Sequence, residues 1–151
     1  MKILFLTFGN ETVASSRTRV YQYLPAIRKA GVDALVINYC SEIEDRVSAL
    51  RRSNTGNWSP SSSLRRKMLR LWCFCFTVLQ VFRVVALSGF VDIVFIQKVL
   101  LPAWVQGIIR FLNPNIVIDY DDAVYAESAP HSRKRFEHLL KSSKLAVVEN
   151  D

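Results

Sequence analysis

The first 39 residues, MKILFLTFGNETVASSRTRVYQYLPAIRKAGVDALVINY (Met1–Tyr39), decide the fold. Ile3 to Phe8 is a continuous apolar run that reads as a buried strand, and polar Gly9 to Ser16 follows as a loop. Val20, Leu24 and Ile27 then recur at i, i+4 and i+7, the spacing of one helix face. Ser15 or Ser16 suits the N-cap of that helix and Gly31 its end, while Pro25 bends it or opens a second short segment. Ala34 to Tyr39 is a second apolar strand, far enough along for the crossover that a parallel pair requires. Strand, loop, helix and strand make one βαβ unit.

The alternation continues outward from it. Ile43, Val47 and Leu50 mark a short amphipathic helix, and Ser53 to Ser63, rich in Ser, Asn, Gly and Pro, a loop. Leu64 to Leu87 reads as a long helix and Ile93 to Gln97 as a third strand. Pro102 opens a helix through Leu112 whose buried face takes Trp104, Val105, Ile108, Ile109 and Leu112, and Asn113-Pro114 stops it. Ile116 to Asp119 is a fourth strand, Phe136, Leu139 and Leu140 mark a helix after Ser132, and Leu145 to Val148 is a fifth strand. This order predicts an α/β fold: a Rossmann-like, doubly wound parallel sheet of about five strands, covered on both faces, in one domain spanning residues 1–151. The simplest strand order is 3-2-1-4-5. Ligands bind such sheets where the order reverses, which here falls between strands 1 and 4.

Composition narrows the class. Half of the 151 residues are hydrophobic and 22% are charged, which excludes a wholly disordered chain, and five glycines and five prolines exclude a collagenous one. The N-terminal apolar run is too short for a signal peptide. Three cysteines, Cys40, Cys73 and Cys75, have no zinc-ligand spacing, and Cys73 and Cys75 would point about 200° apart on a helix, so ordinary packing in a reduced, cytosolic protein is expected, with no metal site. The net charge of +7 is uneven: residues 61–90 carry five basic residues and no acidic one.

The two loops at the expected switch point carry the chemistry. Residues 8–19 contain neither GxGxxG nor GxxxxGK[ST], so dinucleotide binding and P-loop chemistry lose their support. Arg17 and Arg19 stand near the start of the first helix, facing its positive dipole end, which suggests an anion there. After the fourth strand come Asp119-Tyr120-Asp121-Asp122, and alternation sends Asp119 and Asp121 to one side and Tyr120 to the other. These carboxylates either hold sugar hydroxyls, bind a cation or serve as a general base, or pair with Arg17 and Arg19; both roles are compatible. A receiver-like signalling domain is disfavoured, because no acidic pair follows strand 1 and strand 3 ends in Gln97-Lys98.

Three stretches carry a resemblance. Ser15 to Gly31 (SSRTRVYQYLPAIRKAG), Phe95 to Pro102 and Ile118 to Tyr125, with Val147 to Asp151, resemble the N-terminal domain of family 4 glycosyltransferases of the GT-B fold. The resemblance covers most of the chain outside residues 41–90. It implies transfer of a sugar from a nucleotide-sugar donor to an acceptor hydroxyl with retention at the anomeric carbon, in envelope polysaccharide or glycolipid synthesis. In that family the N-terminal domain mainly receives the acceptor, a glycan or a lipid-linked one, and a C-terminal domain with a Glu-x7-Glu segment holds the donor. No such segment occurs here, so the expectation is the acceptor-side half alone, with the donor-binding domain absent, no cofactor and little activity in isolation. The site the resemblance implies takes Asp121 and Asp122 as catalytic groups and Gly9, Asn10, Ser16, Arg17, Arg19, Lys98, Asp119 and His131 as substrate contacts. Many relatives place a histidine where Asp121 and Asp122 stand. His131 precedes a helix, either exposed on its loop or reaching the cleft; His138 reads as structural; Lys98 either meets a phosphate or ends its strand in solvent. The competing class is a non-catalytic binding or interaction module that pairs with a separate donor-binding chain.

One segment stands outside that family pattern. Arg65, Arg66, Lys67 and Arg70 precede an apolar stretch of about 12 residues from Leu71 to Phe82, short of the roughly 20 that a membrane span requires. Two readings stand: a core helix with a basic first turn, or an interfacial helix whose Arg65, Arg66, Lys67, Arg70 and Trp72 meet an anionic membrane surface, peripheral on the inner face of the plasma membrane. A nucleic-acid partner is not expected, because the aromatics form an apolar block instead of interleaving with the charges.

Overall fold

The apolar runs pair as a single sheet in which every strand is parallel to its neighbours. The computed structural model describes residues 1–39, 63–121 and 130–149. The helix expected around Ile43 to Leu50 and the loop from Ser53 lie outside the described residues, apart from Ser63, which already belongs to a helix. The elements are β1 (Lys2–Thr7), α1 (Ala14–Arg19), a single 3-10 turn (Tyr21–Tyr23), α2 (Leu24–Lys29), β2 (Asp33–Asn38), α3 (Ser63–Ser88), β3 (Ile93–Gln97), α4 (Ala103–Leu112), β4 (Ile116–Asp121), α5 (Pro130–Ser142) and β5 (Leu145–Glu149).

The strand order is β2-β1-β3-β4-β5, not 3-2-1-4-5. Leu4 of β1 stands level with Leu35 of β2 on one side and Val94 of β3 on the other. The chain therefore leaves the β2 edge, crosses back over β1 and inserts β3 on its far side. The reversal of strand order lies between β1 and β3, which moves the expected crevice by one strand. The physical reason is visible in the strands themselves: β3 (IVFIQ) is apolar up to its closing Gln97, as suits a strand covered on both faces, whereas β2 (DALVIN) carries polar ends and leaves Leu35 exposed, as an edge tolerates.

A parallel crossover turns right-handed, so reversing direction changes the face on which the connecting helix lies. The α1, 3-10 and α2 segments cover one face through Phe5, Val20, Leu24 and Ala34, with Phe5 and Phe95 tilted together at 5.3 Å between ring centres. The opposite face carries the larger core, where Leu4, Leu6, Val94, Ile96, Ile116 and Ile118 meet Val84 of α3, Val105 and Ile109 of α4 and Leu139 of α5.

Local chemistry sets the helix ends. Pro25 in the first turn of α2 makes that helix a fresh start after the 3-10 turn. Gly31, at φ 78°, closes it: its N–H donates to the Arg28 carbonyl and that of Val32 to the Ile27 carbonyl, a pairing only a left-handed residue allows. Neither Ser15 nor Ser16 caps α1, whose N-cap is Val13 without a side-chain bond. On α4 the sequence pattern misplaces the buried face: Val105, Gln106 and Ile109 are buried, while Trp104, Ile108 and Leu112 are exposed. The helix is apolar nearly all round, and Gln106 is drawn inward because its Nε2 donates to the Leu101 carbonyl (2.7 Å) and its Oε1 lies 2.8 Å from His138 Nδ1. A carboxamide oxygen only accepts, which assigns the proton to Nδ1 of His138.

Asn113 fixes the junction of these layers. Its Nδ2 donates to the carbonyls of Ser88 (3.1 Å) and Val91 (2.7 Å), and its Oδ1 accepts from the Asn115 N–H (2.9 Å). Replacing it removes three partners in a buried position. Asn113→Ala is expected to lower the unfolding free energy by about 1–3 kcal/mol in urea titrations, and a change below a few tenths would show that these carbonyls find water instead.

Candidate functional site

The carboxyl ends of β1, β3 and β4 lie side by side at one edge of the parallel sheet, where the strand-order reversal leads a crevice to be expected. β1 ends in Thr7, whose hydroxyl lies 2.9 Å from both the Gly9 carbonyl and Asn38 Oδ1. Tyr21 also donates to Asn38 Oδ1, at 2.6 Å, so that oxygen joins the ends of β1 and β2 to the 3-10 turn. Burial pushes the Tyr21 phenol above its ordinary value; the hydrogen bonds with Thr7 and Asn38 pull it partly back, and the charge of Glu11 raises it further. Asn10 shapes the loop, accepting at Oδ1 from the N–H (3.0 Å) and hydroxyl (2.6 Å) of Thr12.

Ser16 and Gln97 tie this loop to β3. The buried Ser16 hydroxyl accepts the Gly9 N–H at 3.3 Å and donates to Gln97 Oε1 at 3.2 Å, and the same oxygen accepts the Phe8 N–H at 3.4 Å. Because Phe8 N–H must find an acceptor, the oxygen of Gln97 is fixed toward the loop. Its Nε2 is then left buried without a hydrogen-bond partner among the described residues. An unmet amide donor of this kind costs about 1–3 kcal/mol, which marks the position as one that folding alone does not explain. The next residue, Lys98, stands at φ 54°, a left-handed backbone that costs a side-chain-bearing residue roughly 1–2 kcal/mol, while its N–H donates to the Asp119 carbonyl at 3.0 Å.

Arg19 reaches across the end of β3 to β4. Its guanidinium meets Asp119 Oδ1 at 2.5 Å, and the carboxylate side chain is only 5% exposed. Of the two readings left open for Asp119, the arginine pairing is the one in place, and it leaves room for a substrate role as well. The dipole argument for an anion at Arg17 and Arg19 does not hold. α1 is six residues long, and both arginines fall in its last turn, where a cation is favoured; Arg17 is exposed.

The crevice therefore gathers Gly9, Asn10, Ser16, Arg19, Lys98 and Asp119, with Asp121 closing β4 two residues further on. The strand runs to Asp121 instead of ending at Asp119. Asp122 lies outside the described residues, as do the side chains of Asp121 and His131; His131 belongs to the first turn of α5, which starts at Pro130 and not after Ser132. Gln97 was not among the expected contacts, although a polar residue closing an apolar strand is the available signal. Tyr120 was also missed. It packs edge-on against Phe136 at 5.0 Å, its hydroxyl is buried without a partner, and burial drives its phenol well above the ordinary value.

Fold and crevice together define a Rossmann-like α/β domain with a five-stranded parallel sheet. No protein family, curated protein or solved structure matches the chain. Removing Arg19 would strand a buried carboxylate. Arg19→Ala is expected to cost about 3–5 kcal/mol of stability, and Arg19→Ala with Asp119→Asn considerably less. Additive losses in the double-mutant cycle, measured by urea unfolding, would mean that the pair is uncoupled.

Proposed function

We propose that this domain is the acceptor-side half of a sugar-transfer enzyme of the GT-B kind, which joins a sugar from a nucleotide-linked donor to an acceptor hydroxyl. The observation that carries the reading is the unmet amide donor of Gln97 at the strand-order reversal, flanked by the Gly9 loop and the Arg19–Asp119 pair. A sugar acceptor presents hydroxyl oxygens and protons in equal measure. The strand ends hold polar groups of both kinds, the unmet amide of Gln97 beneath the Gly9 loop and the carboxyl-bearing residues Asp119 and Asp121 on β4. Asp121 takes the general-base role, drawing the proton from the acceptor hydroxyl as its oxygen bonds to the anomeric carbon and the bond from that carbon to the nucleotide's phosphate oxygen breaks, releasing the nucleotide as an anion. Asp122 is assigned beside it, and Lys98 and His131 to the rim. The resemblance of residues 15–31, 95–102 and 118–125 to family 4 glycosyltransferases supports the same reading. Donor contacts belong to a second domain of the Glu-x7-Glu type, and the acceptor is a glycan or lipid-linked glycan of the cell envelope, modified on the cytoplasmic side.

Two measurements test this. Titrated with oligosaccharide or glycolipid acceptors, the chain is expected to show amide NMR shifts at Gly9, Lys98 and Asp119, and Gln97→Ala to weaken the response about fivefold to tenfold. Nucleotide sugars alone should leave those amides unmoved; the reverse pattern would assign the domain to the donor instead. Supplied with a donor-binding domain, the Asp121→Asn variant is expected to transfer sugar at least about tenfold more slowly with an unchanged circular dichroism spectrum. An unchanged rate would remove Asp121 from the mechanism, and binding without any transfer would favour a non-catalytic module.

A further inference from the structure

We infer that the outward face of α3 and α4 docks on the surface of a bilayer rich in anionic lipid. The two helices lie side by side over the sheet, and both also expose apolar residues on the face turned away from the core. On α3 the face turned to the protein holds Gln80, Val84 and Ser88, all buried, while Leu71, Phe74, Val78 and Phe82 point away from it and are exposed. These four follow the i, i+3, i+7, i+11 spacing of a single stripe. On α4 Trp104, Ile108 and Phe111 form a second exposed stripe, with Trp104 66% and Phe111 88% accessible. Single exposed apolar residues are ordinary, but two parallel stripes on adjacent helices are a surface that calls for an apolar partner.

Charge decides which partner. The three helices of this layer, α3, α4 and α5, carry five, one and four basic residues respectively against one acidic residue, Glu137. Lys67 is exposed, and Arg65, Arg66 and Arg70 fall within the first two turns and a little beyond on α3. An excess of basic residues on the helices that carry the aromatic and aliphatic stripes is the complement of an anionic headgroup layer with hydrocarbon beneath; a second copy of the same positive layer would be repelled. The window Leu71–Ser88 is long and apolar enough to cross a membrane by length and composition. Crossing is nonetheless inconsistent with the fold, because it would strip Gln80, Val84 and Ser88 from the sheet, so the helix lies in the interface. This holds whether or not the crevice transfers sugar.

The test is flotation of the whole chain with vesicles of phosphatidylcholine alone or mixed equally with phosphatidylglycerol. Binding is expected to the mixed vesicles, weakening as salt rises, with Trp72 and Trp104 fluorescence quenched by lipids brominated along the acyl chain. Leu71→Ser, Phe74→Ser, Phe82→Ser and Ile108→Ser combined should reduce the partition coefficient at least about tenfold, as should Arg65, Arg66, Lys67 and Arg70 changed together to Gln. Lys29→Gln, on the other side of the sheet, should leave it unchanged. The inference is overturned by wild-type protein that stays with the buffer, by a dimer that covers both tryptophans and ignores vesicles, or by association that resists alkaline extraction as a spanning helix does.

Discussion

The return of the chain from β2 across β1 is the constraint on which the rest depends. Handedness permits each crossover to lie on only one face for a given direction of travel, so reversing direction after β2 commits α3, α4 and α5 to the face opposite α1 and α2. It also leaves the loops after β1 and β3 diverging to opposite faces, and the gap between them is the crevice. Moving β3 to the other side of β2 would close that gap and separate Ser16 from Gln97. The bridge between those two residues is therefore a consequence of topology as much as of sequence.

Within the crevice, most polar groups are spent on holding the loop and strand ends. Ser16 is satisfied by Gly9 and Gln97, Thr7 by Gly9, and Asp119 by Arg19. A buried ion pair gains little net stability over an apolar pair, yet losing either partner is costly. Its effect is to fix the carboxyl end of β4 relative to α1 across the intervening β3. Against that background the unpaired Nε2 of Gln97 and the left-handed Lys98 are adjacent departures at one strand end. Two local costs in consecutive residues at the strand-order reversal are what a site kept for a ligand would show.

The elements were largely legible and their arrangement was not. Continuous apolar runs gave β1 and β3 to within a residue, Pro25 and Gly31 gave the break and the end of the first helical region, and the apolar stretch after Ser63 gave α3. Strand order escaped because periodicity reports which segments are strands, not the direction in which a connection of more than fifty residues travels; the polar ends of β2 were the clue to an edge. The arginines of α1 were misread because a dipole argument needs both helix ends, and α1 stops at Arg19. Trp104 escaped because a helix apolar on every side has no pattern from which a buried face can be chosen. Gln97 closes an apolar run in the sequence, but only the structure sets its oxygen against Phe8 and leaves its nitrogen unmet among the described residues.

The same topology joins the crevice to the apolar layer. A crossover helix runs back against its strands, so its first turns stand at their carboxyl ends. α3 has 26 residues, about 39 Å at 1.5 Å each, whereas the strands of five or six residues span roughly 20 Å. Its C-terminal half matches the sheet, and there Gln80, Val84 and Ser88 are buried. The first half overshoots the sheet past the edge where the crevice opens, and there Met68, Leu71, Trp72 and Phe74 are all exposed. A helix needed only to cover the sheet would stop at half this length. The extra turns carry the basic residues and the tryptophan to the edge that holds Gly9, Gln97 and Asp119, so a bilayer meeting that overhang would lie beside the crevice, within reach of whatever headgroup it presents.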